Sequence, residues 1–298
     1  MMKTETLDAR YLDLDKWPTE LAVQAMLEGQ MAAIAAIQSQ TAAIARAAEA
    51  AAARLGHEGR LIYVGAGTSG RLAVQDGTEL NPTFNWPMKR LIFLMAGGYG
   101  ALTQAYEGAE DNVEAARADI DGCVITPSDV VIGVAASGST PYTVAAIEHA
   151  RTLGALTIGI SNNAGTPLIA HAEHHVLADT GSEVLAGSTR MKAGTAQKAV
   201  LNLLSTALML RLGFVYRGRM VAMRVSNAKL LQRGRRMIQE LAGVEAEVAI
   251  RALDVADNDI RRGVLVAMGV SLGEADALLD AHHGSLREVL QALDAREA

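Results

Sequence analysis

The sequence predicts an α/β protein: a five-stranded parallel sheet flanked by helices, preceded by a helical segment and followed by a small all-helical subdomain. Three observations carry this reading. Five short runs, Leu61–Val64, Arg90–Met95, Val130–Ala135, Leu156–Ile160 and His174–Leu177, are apolar at successive positions, the pattern of strands covered on both faces. Helical stretches or loops separate them, which is the spacing of right-handed strand–helix–strand units. Alanine is frequent and only 4% of residues are aromatic, a composition suited to closely packed helices. The boundaries that follow are 1–55 for the amino-terminal helical segment, 56–240 for the α/β domain and 241–298 for the helical subdomain.

The amino-terminal segment opens with about twenty polar, irregular residues, in which Trp17-Pro18 marks a turn and Thr19 a helix cap. From Leu21 to Leu55 the pattern is helical. Ile34, Ile37, Thr41, Ile44, Ala48, Ala51 and Leu55 fall at alternating three- and four-residue steps, a narrow seam of the coiled-coil kind. Such a seam packs either across a dimer interface or onto the protein's own sheet.

The first strand runs into Gly65, Gly67 and Gly70, spaced as G-x-G-x-x-G, the pattern of a dinucleotide loop. A dinucleotide site also needs an acidic residue at the tip of the second strand to hold the ribose. Here that strand ends in Ala96-Gly97-Gly98. The turn carries Thr68 and Ser69 at the helix start, where backbone N–H groups and the helix dipole favour an anion. A phosphate monoester fits Gly67, Thr68, Ser69 and Gly70 better than a pyrophosphate. In flavodoxin-like strand order the first and third strands are neighbours at the switch point, and their loops face one ligand. The third-strand loop is Ala136-Ser137-Gly138-Ser139-Thr140-Pro141-Tyr142, a second hydroxyl-rich turn opening a helix. Ser137, Gly138, Ser139 and Thr140 therefore join the same phosphate site.

Between the second and third strands, residues 101–120 read as a helix with Leu102, Ala105, Tyr106, Ala109, Val113, Ala116 and Ile120 on its apolar stripe. Glu107, Glu110, Asp111 and Glu114 lie off it. Periodicity sets Glu110 beside the stripe and selects none of the four for chemistry. After the fifth strand, Gly181-Ser182-Glu183 and Gly187 to Lys198 lead to an apolar helix over Ala199–Leu212. Cations oppose the dipole at a helix start. The run thus reads as a loop closing over an anionic sugar phosphate, with Glu183, Ser188, Arg190 and Lys192 as binding candidates.

The tail repeats itself at an offset of 26 residues: Gly243-Val244 with Gly269-Val270, Leu253-Asp254 with Leu279-Asp280, Ile260-Arg261 with Leu286-Arg287. Two copies of one helix-pair unit follow. The paired histidines His174-His175 and His282-His283 cannot both aim at one ion from a regular element, and HExxH and clustered cysteines are absent, so no metal site is expected.

Composition narrows the partners. Of 298 residues, 50% are hydrophobic and the net charge is −6; Lys and Arg form no block, which argues against nucleic acid. The single Cys123 makes no disulfide framework and suits a reducing compartment. MMKTETLDAR has neither a basic start nor an apolar core, and no apolar run reaches the ~18 residues of a membrane span. The expectation is a cytoplasmic protein with no membrane partner.

GAGTSGRL with Glu79, EGAED at Glu107 to Asp111, AASG-x-TPY at Ala135 to Tyr142, and above all GSTRMKAGTAQK at Gly187 to Lys198 resemble the N-acetylmuramic acid 6-phosphate etherases of the sugar isomerase (SIS) superfamily. The resemblance runs from about Gly59 to the carboxyl terminus and departs from the family pattern at Ser139, where members often carry Arg. It implies a cofactor-free lyase of amino-sugar recycling that releases D-lactate from an amino-sugar phosphate. It also implies a mechanism by elimination and water addition. Glu79 matches the acid that protonates the leaving ether oxygen, and Glu110 the base at C2. A helix of ten residues is about 15 Å long, so Glu79 stands far from its own phosphate loop; a homodimer with a shared active site is the expectation. Within the same superfamily stand two alternatives, an aldose–ketose isomerase and a non-catalytic sugar-phosphate sensor.

Overall fold

Every residue of Leu61–Gly65 (β1) is buried, so the first strand lies inside the sheet. The computed structural model describes residues 2–104 and 106–297. β1 pairs in parallel with Leu91–Met95 (β2), Leu61 opposite Leu91, and on its other side with Val130–Ala135 (β3), Leu61 opposite Val130. Leu156–Ser161 (β4) and His174–Leu177 (β5), with the short helix Pro167–His171 (α6) between them, extend the sheet in the order β2-β1-β3-β4-β5, all parallel. That is the flavodoxin-like order, with the switch point between β1 and β3.

Successive strand residues alternate between the two faces. Ile62, Val64, Val131 and Ala135 pack with Ala116 and Ile120 of Val113–Gly122 (α4) and with Tyr142, Ala146, Ile147 and Ala150 of Pro141–Thr152 (α5). Tyr63 is equally buried from the alternate position. There its hydroxyl donates to Asp76 of Gly67–Phe84 (α3) at 2.9 Å. Asp76 also accepts from Asn202 (2.7 Å) and Ser205 (3.1 Å) of Lys192–Arg211 (α7). Burial pushes the Asp76 carboxyl up, and the three hydrogen bonds only partly offset this. The buried triad of donors joins β1, α3 and α7.

Three expectations about helices are corrected. The helix read over residues 21–55 is two, Thr19–Ala35 (α1) and Thr41–Leu55 (α2), with a 3-10 turn at Gln38–Gln40 between them. Gln40 explains the break: its side-chain oxygen accepts the amide of Leu177 on edge strand β5 at 3.1 Å. α2 lies against β3, β4 and β5, so it covers its own sheet. Residues 101–120 are helical only from Val113. Ahead of it stand 3-10 turns at Tyr99–Leu102 and Ala109–Asp111, and Asn112, extended, caps α4 by accepting from Ala115 N at 2.9 Å. Ala105 lies outside the described residues. Finally, α7 begins at Lys192, seven residues ahead of the expected start, because a buried carboxylate described below caps it there.

The chain divides into two compact units, Met1–Gly77 with Lys89–Ala207, and Thr78–Met88 with Leu208–Ala298. In the second, Ala228–Ala242 (α8) precedes Ala246–Val255 (α9), Ile260–Ala267 (α10), Leu272–Ala281 (α11) and Leu286–Glu297 (α12). α11 and α12 start 26 residues after α9 and α10, reproducing the repeat offset. The repeated glycines end helices or turns with positive φ, 67° at Gly243 and 95° at Gly269. Ile238, Leu253, Val264, Leu265, Leu286 and Val289 form this unit's core. Among the described residues no helix is long and apolar enough to cross a membrane.

The far end of β1 and β3 is tied by Arg60 and Asp129. The Asp129 carboxylate, 1% exposed, accepts from Arg60 N (2.8 Å), Arg60 Nη2 (2.6 Å) and Thr126 N (2.8 Å). Burial raises the Asp129 carboxyl, but the Arg60 side chain and the two amides outweigh it and hold the group below its usual value of 3.8. A depressed carboxyl stabilises the fold above its unfolded pKa and loses that contribution as pH falls through the folded value. Asp129→Asn is therefore expected to destabilise the protein by about 3 kcal/mol at pH 7. Denaturant titrations between pH 5 and pH 2 check the linkage: the variant should lose less stability across that range than the parent.

Candidate active site

The chain turns from β1 into α3 with almost no loop. A Cβ on Gly65 would lie 2.7 Å from Gly70 Cα, and one on Gly70 would lie 2.4 Å from Met95 Sδ and 2.8 Å from Gly65 C. Only glycine at both positions lets strand end and helix start cross this closely. The crossing sets Thr68 and Ser69 in the first turn of α3, beyond the carboxyl end of β1, where the amides are free of intrahelical partners.

The neighbouring loop after β3 is built differently. Gly138 (φ 68°) donates its amide to Ala135 O at 3.1 Å and accepts from Leu168 N at 3.0 Å. Ser137 Oγ accepts from Ser139 N at 3.1 Å and lies 3.3 Å from Thr140 Oγ1. Thr140 is the N-cap of α5 yet makes no capping hydrogen bond, its hydroxyl being turned to Ser137, and Pro141 opens the helix. The starts of α3 and α5 thus face one cavity of about 440 Å³.

Gly67, Thr68 and Ser69 line that cavity from α3, and Ser137, Ser139 and Thr140 from the β3–α5 loop. Glu110 and Asp111 reach it from their 3-10 turn. Thr189 closes one side, and Met2 and Glu5 another. Among the described residues its lining contains no Lys, Arg or His. An adjoining cavity of about 200 Å³ shares Ala66, Gly67 and Glu110, so Glu110 stands where the two meet. Arg71, in the second cavity's wall, donates to the carbonyls of Ala101, Leu102 and Gln104, fixing the chain that leaves β2. Amides, hydroxyls and a carboxylate in one cavity can hold an anion by hydrogen bonding and move a proton beside it.

The remaining sequence-selected residues lie elsewhere. Gly70 is spent on the strand crossing, and Gly138 shapes its loop without lining the cavity. Glu183 is fully buried, and its two oxygens accept the amides of Lys192 and Ala193, each at 2.9 Å. It is the anionic cap that starts α7 and offsets the cation beside the helix dipole. Lys192 Nζ donates to Ser182 O at 2.7 Å, and Ser188 N to Leu185 O at 2.9 Å. Arg190 lines a different cavity of about 610 Å³ together with Ile34, Leu72, Lys198 and Leu203. Glu79 is exposed, on α3 and within the second compact unit. It lies twelve residues beyond Gly67, about 18 Å along the helix axis.

Besides Ala66, Ala136 and Pro141, which flank the two loops, Glu5, Met2, Asp111 and Thr189 are the lining residues that reading the sequence does not select. Thr189 and Asp111 lie within runs already singled out, one residue from a chosen neighbour. Glu5 carries no local signal. Its place depends on contacts spanning most of the chain: Lys3 N donates to Asn163 Oδ1 at 2.8 Å, Asn163 Nδ2 to Thr4 Oγ1 at 3.1 Å, and Gly187 N to Thr4 O at 3.0 Å.

The chain is similar to known proteins over most of its length. Residues 43–151 match the glucokinase regulatory protein N-terminal SIS domain, and residues 112–207 match the SIS domain. The chain is 46% identical to an N-acetylmuramic acid 6-phosphate etherase from Deinococcus radiodurans, over 97% of this chain and 95% of that one. It is 44% identical to the Streptomyces coelicolor etherase (98% and 94%) and 43% identical to that of Cronobacter sakazakii (97% and 97%). Among solved structures, the c3406 protein of E. coli CFT073 shares the fold, with TM-score 0.50 and 19% identity over 68% of this chain and 96% of that one. Near-full-length identity to these relatives, together with a SIS sheet of the expected strand order, makes the chain a member of the N-acetylmuramic acid 6-phosphate etherase family of carbon–oxygen lyases.

Proposed function

We propose that this lyase acts on N-acetylmuramic acid 6-phosphate itself, breaking its D-lactyl ether to give N-acetylglucosamine 6-phosphate and D-lactate. The observation that carries this reading is Glu110 in a cavity onto which two helix N-termini open. The 6-phosphate takes the amides and hydroxyls of Thr68, Ser69, Ser137, Ser139 and Thr140. The open-chain aldehyde acidifies the C2 proton, which Glu110 removes. As the C3–O bond breaks, Glu79 delivers a proton to the ether oxygen, because lactate is a poor leaving group as an alkoxide. Water then adds at C3 of the unsaturated aldehyde, giving its proton to Glu79, while Glu110 returns a proton to C2. Positioned acid–base groups of this kind contribute roughly 10²–10⁴-fold each.

The acid comes from a second copy of the chain. Exposure of Glu79 and its distance along α3 from Gly67 support this reading. So does the outward face of α1, where Val23, Leu27, Met31 and Ile34 recur at helical spacing while 49–66% exposed. Leu203 beside Ile34 continues that apolar surface, which a homodimer would cover. Arg190 and Lys198, in the same cavity, would stand at the interface. Glu183 acts as a positioning residue through α7, and the place of action is the cytoplasm, in amino-sugar recycling.

Incubation with N-acetylmuramic acid 6-phosphate should release D-lactate in proportion to N-acetylglucosamine 6-phosphate; binding without lactate would leave a sensor instead. Glu110→Gln should lower turnover by at least about 10²-fold while calorimetry shows the phosphate ester still bound, and retained turnover would remove Glu110 as the base. Mixing Glu79→Gln and Ser137→Ala subunits after reversible dissociation should restore up to about a quarter of wild-type activity, since in a two-fold dimer half of the molecules would carry one intact site. Absence of any recovery would mean that sites are not shared.

A further inference from the structure

We infer that Glu5, carried on the amino-terminal segment, is a specificity-determining residue of the cavity, accepting hydrogen bonds from hydroxyl or amide N–H groups of the sugar beyond its phosphate. The inference rests on the sugar-phosphate reading of this site. Three observations lead to it.

The segment is part of the site's wall. Thr4 is fully buried, and besides the bonds of Thr4 and Lys3 N already given, Lys3 Nζ pairs with Asp179 at 2.6 Å and Ser182 Oγ donates to Asp8 at 3.3 Å. Glu5 is therefore delivered to the cavity from an anchored backbone. Its carboxylate is exposed and makes no hydrogen bond or ion pair with any described residue. One carboxylate oxygen lies 2.9 Å from where a Cβ on Gly187 would stand, so the absence of a side chain at Gly187 gives Glu5 its room.

The charge pattern then divides the cavity. Glu5, Glu110 and Asp111 are all carboxylates, and among the described residues the lining holds no cation. A phosphate beside Glu5 would be repelled, whereas the starts of α3 and α5 supply amide and hydroxyl donors for it. The phosphate occupies that end, and the acidic wall meets the rest of the ligand. An ionised carboxylate only accepts hydrogen bonds; what it recognises must donate. Sugar hydroxyls and an acetamido N–H do so. The same wall requires that the substrate's second anion, its lactyl carboxylate, point away from Glu5.

Calorimetry of the full-length protein with two probes, N-acetylglucosamine 6-phosphate and inorganic phosphate, separates this role from a structural one. Glu5→Gln and Glu5→Ala should each weaken the sugar phosphate by about tenfold, the loss expected of a charge-assisted hydrogen bond. Both should leave inorganic phosphate unchanged or up to about threefold tighter, because a repelling charge is gone. Weakening of both probes together would mean that Glu5 only supports the fold of the segment, and no change in either would mean that it does not face the ligand; each result overturns the inference. Because binding is read without turnover, a wild-type protein that binds the sugar phosphate but releases no lactate would remove the etherase reading and leave the Glu5 test in force, while a wild-type protein that binds neither probe would overturn both.

Discussion

The crossing of β1 and α3 at Gly65 and Gly70 is the constraint from which the rest of the site follows. With side chains at either position the helix start would have to move away from the strand end. The amides of Thr68 and Ser69 would then no longer open beside those of the β3–α5 loop. Parallel pairing of β1 with β3 supplies the other half of the geometry, since it brings both carboxyl ends to one level. In the proposed reaction the phosphate meets no cation among the described residues of the lining, so its binding there rests on this alignment. Two helix dipoles and several neutral donors must act together, because each alone is weak and easily screened.

The placement of acidic groups separates structure from chemistry. Asp129 is buried, held by Arg60 and two amides, and works only on the join between β1 and β3. Asp76, buried among three donors, ties α3 to α7 and to Tyr63. Glu183 spends both oxygens on the start of α7. In contrast, Glu5, Glu79 and Glu110 are exposed, and in the proposed reaction they act only once substrate or a second subunit excludes water from them. A carboxylate in the fold and a carboxylate in the site differ here by whether its lone pairs are already taken.

The run from Gly187 to Lys198 illustrates how a cap redirects a motif. Read as a loop, its cations point to a phosphate. Once Glu183 caps Lys192 and Ala193, Lys192 to Lys198 form the first turns of α7, and Arg190, in the turn before it, lines with Lys198 a separate cavity with an apolar rim. Of this run, Thr189 reaches the cavity between the starts of α3 and α5.

The sheet, its strand order, the two hydroxyl-rich loops and the 26-residue repeat are all legible in the residues alone. Each of these depends on short-range patterning: apolar runs of strand length, glycine where a turn demands it, and helix periodicity. The family-specific runs likewise single out Glu110, which lines the cavity, where periodicity does not. Other features arise only in the folded chain. Gln40 breaks a continuous helical pattern because it bonds to β5, 137 residues away, and α4 starts late because Asn112 offers its first turn a cap. Glu5 enters the site through Thr4, Asn163 and Gly187, contacts that no local pattern encodes. Local propensity is written in adjacent residues, whereas a buried hydrogen bond between distant segments exists only after the sheet has brought its partners together.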